Sequence, residues 1–318
     1  MTGTMKRSKT NVNPRLALIG CGRWGRNILR DLLSLGCTVH VVDSGEAARA
    51  EAARRGAAST HADAGGLPRV DGVIVATPTA THARVAGEAL SMGVPVYVEK
   101  PLAHDPADAA RLAREAAGRL FAMHKWRYHP GVEAIARIAA EGTLGRVGGL
   151  RTVRMQCGYD HRDVDPIWTL APHDLSIAVA VLGGIPDLRD ARAHSVGGRV
   201  CGATALFGDA PWFSCEISAC AHQRRREVSL LCEQGIAVLP DPESDHVVVI
   251  SFERSDQRLA PSAARLAIST EPPLLRELRA FLDYLRGGAA PLASAEEGAA
   301  IVTAIAALRR RCGVEDVQ

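Results

Sequence analysis

Residues 15–45 read RLALIGCGRWGRNILRDLLSLGCTVHVVDSG, and this stretch decides the fold. Arg15–Ile19 is a short apolar run that ends at Gly20. From Trp24 to about Leu35, Ile28, Leu29, Leu32 and Leu33 fall on one helical face, and Gly36 stops the pattern. Thr38–Asp43 is a second apolar run. Strand, glycine turn, helix and strand in that order make a βαβ unit. The turn itself, GCGRWG, places glycines at 20, 22 and 25. Gly20 permits the tight turn, Gly22 lets the backbone approach a pyrophosphate, and Gly25 allows close packing of helix on strand. The helix that follows directs its positive end at such phosphates.

Asp43 stands about 20 residues beyond the loop, where a carboxylate accepts the hydroxyls of an adenosine ribose and repels a 2′-phosphate. Ser44 and Gly45 follow it, and the first arginine nearby is Arg49. The pattern therefore favours NAD(H) over NADP(H). Asp43 also suits the cap of the helix that follows.

Outward from this unit the alternation continues to residue 123. A helical stretch covers 45–55, a strand 72–76, a helix 81–92, a strand 94–98, a helix 106–117 and a strand 120–123. Continuous apolar strands separated by helices predict a doubly wound parallel sheet, a Rossmann domain over residues 14–123. Beyond 124 the texture changes. One amphipathic segment, 131–140, leads to strand-like runs at 150–156, 203–207, 212–219, 227–232, 236–239 and 246–252. A helix at about 173–182 interrupts them, and helices at 273–286 and 295–311 close the chain. This predicts an α+β domain over 124–318 with an open, mostly antiparallel sheet and helices on one face. Residues 1–13 read as a solvated tail.

Composition excludes several classes. The 318 residues are 47% hydrophobic and 23% charged, with a net charge of +3. That is ample for a core and too balanced to point to nucleic acid or a membrane surface. No apolar run approaches the ~20 residues of a membrane span. The N-terminus is basic but lacks the apolar segment of a secretory signal. Eight cysteines include no CxxC pair and no zinc spacing with histidine. They read as free thiols in a reducing cytoplasm, with no metal site expected.

Two further motifs sharpen the reading. ATPTATH (76–82) follows the third main strand and VEKPLA (98–103) the fourth. In a parallel sheet both lie at the carboxyl edge, where such folds bind ligands. Pro101 restricts Lys100 to extended geometry, so the lysine is aimed. A run QRRR (223–226) reads as a solvated basic turn, one of whose arginines is able to meet a sugar phosphate or nucleotide diphosphate.

With GCGRWG, TPTATH, EKPLA, the crossover-like HKWRYHP (124–130) and a later PHD (172–174), the chain resembles the glucose–fructose oxidoreductase/inositol dehydrogenase/rhizopine-catabolism (Gfo/Idh/MocA) family. The resemblance runs from about Arg15 to the C-terminal helices. It implies hydride transfer between a nicotinamide cofactor and a carbinol or keto carbon of a sugar, nucleotide sugar or similar metabolite. It implies cofactor contacts from Gly20, Gly22, Arg23, Trp24, Gly25, Asp43, Thr77, Pro78, His82, Glu99 and Lys100. The family's EKP lysine falls on Lys100, which holds the reacting oxygen, and its acid/base histidine on His173. Arg127, Tyr128, Tyr159, Thr169 and His173 are the expected substrate contacts, in a crevice between the two domains.

One departure stands out. The family's aspartate four residues before the histidine is Thr169 here. Asp163, Asp165 and Asp174 are the nearby carboxylates able to compensate. The resemblance also leaves open a reductase of C=N or C=C bonds, an NAD-dependent glycosidase, or a non-catalytic NAD-binding regulator. An open sheet face in the second domain predicts a homo-oligomer, dimer or tetramer.

Overall fold

The computed structural model describes residues 13–158, 164–255 and 258–314. The expected tail, residues 1–12 of it, and Tyr159 lie outside the described residues. The chain divides into two units, Met1–Met123 with Leu274–Ala299, and His124–Pro273 with Ala300–Gln318.

The first unit holds β1 (Arg15–Ile19), α1 (Gly25–Ser34), β2 (Thr38–Val42), α2 (Glu46–Arg54), β3 (Ser59–His61), β4 (Gly72–Val75), α3 (His82–Ser91), β5 (Val96–Glu99), α4 (Pro106–Glu115) and β6 (Leu120–Met123). The strands form one parallel sheet in the order β3-β2-β1-β4-β5-β6. This is the doubly wound order, reversing beside β1. Leu16, Leu18, Val39, Val41 and Ile74 are fully buried under the apolar face of α1, Ile28, Leu29 and Leu32. The three-residue β3 lacks an apolar run, which is why its sequence carries no strand signal.

The chain passes from the first unit to the second after Met123, and the segment Leu274–Ala299, expected in the second domain, groups with the first unit. Helix α7 (Pro273–Leu285) carries Leu274, Leu278, Phe281 and Leu282 at one-face spacing. These residues join the first unit's core, with the Phe281 ring 4.9 Å from that of Tyr97. The ring of Tyr284 meets Phe121 edge-on at 5.0 Å. Periodicity shows that α7 has an apolar face but says nothing of which sheet covers it. Helix α8 (Ala295–Arg311) then carries the chain back to the second unit.

The second unit comprises α5 (Pro130–Glu141), β7 (Val147–Cys157), α6 (Pro166–Leu182), β8 (Leu188–Val196), β9 (Arg199–Phe207), β10 (Trp212–Ser218), β11 (Cys220–Cys232), β12 (Gly235–Leu239), β13 (His246–Ser255) and β14 (Arg258–Ala267). The strands form an eight-stranded sheet, β14-β13-β12-β11-β7-β10-β9-β8. Only β7 and β10 pair in parallel. Helix α6 packs on β7, β9 and β10, and α5 on β11, β12 and β13.

Three expectations change here. Helix α6 begins at Pro166, not near His173, because Asp165 caps it by accepting the N–H groups of Ile167 and Trp168. Pro166 fits the first helical turn, and the second proline, Pro172, lies inside the helix. The edge strands β8 and β14 were not anticipated; β14 contains Pro261, which an edge tolerates. The QRRR run is no turn: all four residues lie within the 13-residue β11.

Candidate active site

The glycine loop follows from close approach of main chains. A Cβ on Gly20 would lie 2.6 Å from the Ala76 carbonyl oxygen, at φ +93°, and one on Gly25 would lie 2.2 Å from the Gly20 carbonyl oxygen. Neither position has room for a side chain. Gly22 differs: a Cβ there meets nothing within 4 Å. The loop therefore needs glycine at 20 and 25 for its own packing, while the space above Gly22 suits a pyrophosphate. The N-terminus of α1 lies directly behind it, with Arg23 exposed and Trp24 in the cap position.

The exit of β2 is tied to this loop. Asp43 accepts the Cys21 N–H at 2.7 Å on one oxygen and the Gly45 N–H at 2.8 Å on the other. A carboxylate offers about four acceptor positions, so this leaves capacity for ribose hydroxyls. Arg49 donates to the carbonyls of Asp43 and Ser44, both at 2.8 Å. Burial, then the Asp43 carboxylate, hold the Cys21 thiol above its usual pKa, so it stays a neutral, small side chain. These residues fit a nicotinamide dinucleotide at the pyrophosphate and at the adenosine ribose.

The other two motifs are also joined. The Trp24 indole N–H donates to Glu99, whose second carboxylate oxygen accepts the Lys100 N–H at 3.0 Å. Glu99 is buried, and Lys100 follows it half-buried before a cis peptide to Pro101. The Thr81 hydroxyl donates to the Pro78 carbonyl and to the Thr77 hydroxyl. His82 was expected among the cofactor contacts. Its ring is 1% exposed, with Nδ1 2.7 Å from the Pro101 carbonyl and Nε2 2.8 Å from that of Thr77. Both nitrogens face main-chain oxygens, so His82 braces one loop against the other. Gly20, Gly22, Arg23, Trp24, Gly25, Asp43, Thr77, Pro78, Glu99 and Lys100 all lie in or beside the exits of β1, β2, β4 and β5.

In the second unit, Thr169 and His173 stand one helical turn apart on α6 and share a face. Thr169 is buried and its hydroxyl donates to the Pro166 carbonyl at 3.2 Å. Two of the three carboxylates proposed to compensate for it are engaged elsewhere. Asp165 caps α6 and accepts from Arg309 at 2.9 Å. Asp174 accepts two bonds from Arg154, at 2.7 and 3.1 Å. Asp163 lies outside the described residues. Arg127 is half-buried and Tyr128 buried, both on the short turn ahead of α5.

Sequence reasoning missed the group around Arg154. Arg154 is 2% exposed, its guanidinium clamped by Asp174 and lying 4.4 Å from the centre of the Trp126 ring. Trp126 in turn stacks on His129 at 5.0 Å. The available signal was alternation: Leu150, Thr152 and Arg154 share one face of β7, and the first two are buried. Among the described residues no cluster of three or more histidine, cysteine or acidic groups is placed to hold a metal, and no helix is long and apolar enough to cross a membrane.

Comparison with known proteins accords with this arrangement. The family model described as an oxidoreductase family with an NAD-binding Rossmann fold matches residues 14–121. The chain is 32% identical over 194 residues to inositol 2-dehydrogenase 2 of Saccharopolyspora erythraea, covering 57% of this chain and 56% of that one. It thus spans little more than half the length of that relative. It is 30% identical over 242 residues to dTDP-3,4-didehydro-2,6-dideoxy-alpha-D-glucose 3-reductase of Streptomyces violaceoruber, covering 69% and 71%. The fold matches that of levoglucosan dehydrogenase in complex with NADH, with a TM-score of 0.83 at 16% identity over 95% of this chain and 97% of that one. On the glycine loop, the strand-exit motifs and these likenesses, the chain belongs to the Gfo/Idh/MocA oxidoreductase family.

Proposed function

We propose that this protein is a nicotinamide-dependent oxidoreductase that moves hydride to or from a carbinol or keto carbon of a sugar, nucleotide sugar or sugar-like metabolite. The observation that carries the reading is the set of neighbouring strand exits in the first unit. Open space above Gly22, the carboxylate of Asp43 and the aimed Lys100 occur on one sheet edge. Relatives named for acting on an inositol and a dTDP-linked sugar support the substrate class.

When bound, the nicotinamide supplies the carbon that accepts or delivers the hydride. The chain's own groups do the rest. Backbone N–H groups at the start of α1 hold the pyrophosphate. Asp43 takes the adenosine ribose hydroxyls, so NAD(H) is preferred to NADP(H). Loss of hydride from a carbinol requires loss of the hydroxyl proton. His173 takes that proton, a task suited to an imidazole. The ammonium of Lys100 donates to the reacting oxygen and stabilises it as charge develops. Arg127, Tyr128, Tyr159 and Thr169 hold the substrate. Assembly as a dimer or tetramer uses the sheet face that exposes Arg151, Leu206 and Arg225.

The test is the near-ultraviolet absorbance of NADH with purified protein and a panel of keto-sugars, cyclitols and nucleotide sugars. Consumption of NADH or its formation from NAD+ is expected with at least one of them. Tight NAD+ binding without turnover across the panel overturns the reading in favour of a binding protein.

A further inference from the structure

Five arginines lie on the central strands β7 and β11 of the second sheet; Arg151 is exposed, and three of the other four have carboxylate partners. Arg154 has Asp174. Arg225, on the opposite face from its neighbours, reaches Glu227 at 2.8 Å. Arg224 reaches Glu243 at 3.2 Å. Arg226 has no carboxylate partner among the described residues. Its Nη2 reaches only the amide oxygen of Gln156, at 3.3 Å, and its Nε is buried with no hydrogen-bond partner.

The register explains why this position is exceptional. β11 pairs with β7 so that Arg226 stands directly opposite Arg154, Val228 opposite Thr152 and Leu230 opposite Leu150. Val228 and Leu230 are buried. Arg226 therefore continues an apolar, helix-covered row with a cation, and its cross-strand neighbour is a second cation. Like charges placed opposite one another are unfavourable. Asp174, the nearest relief, already gives both oxygens to Arg154. Burial, then repulsion from Arg154 and Arg224, draw the Arg226 guanidinium down to about 10, which leaves it fully charged at neutral pH. A half-buried charge with an unmatched donor is expensive to keep. The Nε–Nη2 edge of a guanidinium is the fork that grips two oxygens of one anion, and Gln156 holds it by a single long bond that an anion displaces.

We propose that Arg226, with Gln156 beside it, receives an oxyanion carried by the substrate, so that the sugar this enzyme handles is a phosphate or diphosphate ester or a sugar acid and not a neutral sugar. The proposal rests on the oxidoreductase reading above and narrows its substrate class.

The experiment is isothermal titration of protein saturated with NAD+, using uridine diphosphate, glucose 6-phosphate and glucuronate as probes and glucose as the neutral control. Saturating NAD+ keeps the diphosphate probe out of the glycine loop. The native protein is expected to bind at least one oxyanion probe about tenfold or more tighter than glucose. Which probe binds distinguishes a nucleotide diphosphate, a sugar phosphate and a carboxylate. Arg226→Gln should weaken that probe by at least about tenfold, the scale of a lost charge-assisted bond. Arg226→Lys, which keeps the charge without the fork, should fall between the two. Arg225→Gln, on the other face, should bind like the native protein. Equal affinity in the native protein and Arg226→Gln, no oxyanion binding at all, or an equal loss in Arg225→Gln overturns the proposal. NAD+ affinity is read separately. If the native protein does not bind NAD+, the oxidoreductase reading falls and takes this one with it. If NAD+ binds and Arg226→Gln keeps its oxyanion, only the arginine's role falls.

Discussion

The two units carry their candidate groups in opposite ways. In the first, the groups sit in loops at strand exits and depend on main chain: glycines that admit no side chain, carbonyls that receive His82, N–H groups that Asp43 accepts. In the second, most sit within helices and strands and are placed by side-chain partners far along the chain. Arg154 is placed by Asp174, 20 residues away, and Arg226 meets Gln156, 70 residues away. A backbone site is written in a short motif. A charge-paired site is written in the register of a sheet, which no short stretch contains.

The sharpest way to break this comparison is to remove one charge from the second unit. Arg154 and Asp174 are both nearly inaccessible. Asp174→Ala strands the guanidinium beside Trp126 and Arg226, and should destabilise the protein by about 3–5 kcal/mol, read from the urea midpoint. The pair Arg154→Met with Asp174→Leu removes both charges and should recover most of that loss. A loss below about 1 kcal/mol for Asp174→Ala would show that the pair does not hold the second unit together.

The next effect falls on turnover. If Lys100 holds the reacting oxygen, Lys100→Met should lower kcat on the order of 10²–10³-fold, the scale of one lost pre-organised donor. NADH affinity should hardly change, because the glycine loop is untouched. His173→Asn should lower kcat by roughly 10²–10⁴-fold and flatten its pH profile. A variant with native rate and profile would assign proton transfer to another group.

The same contrast explains what the sequence discloses. The parallel sheet, its helices and the three strand-exit motifs were legible because apolar runs, glycine stops and proline are local signals. His82 was legible as a motif residue but not as a brace, since its partners, Thr77 and Pro101, flank two different strands. The start of α6 was hidden by two competing prolines; Asp165 before Pro166 was the true signal. The return of α7 to the first unit was hidden because an apolar face does not name its partner. Arg154 was hidden because a cation within an apolar alternation looks like an interruption until Asp174 appears beside it.

The glycines test the backbone side of the comparison, with smaller effects. Gly25→Ala pushes a methyl against the Gly20 carbonyl, and should cost about 1–3 kcal/mol of stability together with NAD+ affinity. Gly22→Ala should leave stability within about 0.5 kcal/mol, since its methyl meets no protein atom, yet weaken NAD+ by about tenfold or more. Thermal unfolding and NAD+ titration on the two variants separate the roles. If Gly22→Ala binds NAD+ as the native protein does, the space above that glycine is not where the pyrophosphate lies.

The smallest effect concerns the choice between the two dinucleotides. Asp43 is held by the N–H groups of Cys21 and Gly45, so its charge cannot swing away from an incoming 2′-phosphate. Two unit charges about 4 Å apart near a protein surface repel by a few kcal/mol before salt reduces it. NADH should therefore bind about tenfold or more tighter than NADPH, and Asp43→Ala should weaken NADH and narrow the gap. Arg49 works in the other direction. Its guanidinium already lies against the Asp43 and Ser44 carbonyls, and a 2′-phosphate would compete with those two bonds. If the carboxylate dominates, Arg49→Ala leaves the NADH preference in place. If native protein binds NADPH at least as well as NADH, and Arg49→Ala abolishes that binding, then the arginine governs the choice and Asp43 serves the loop alone.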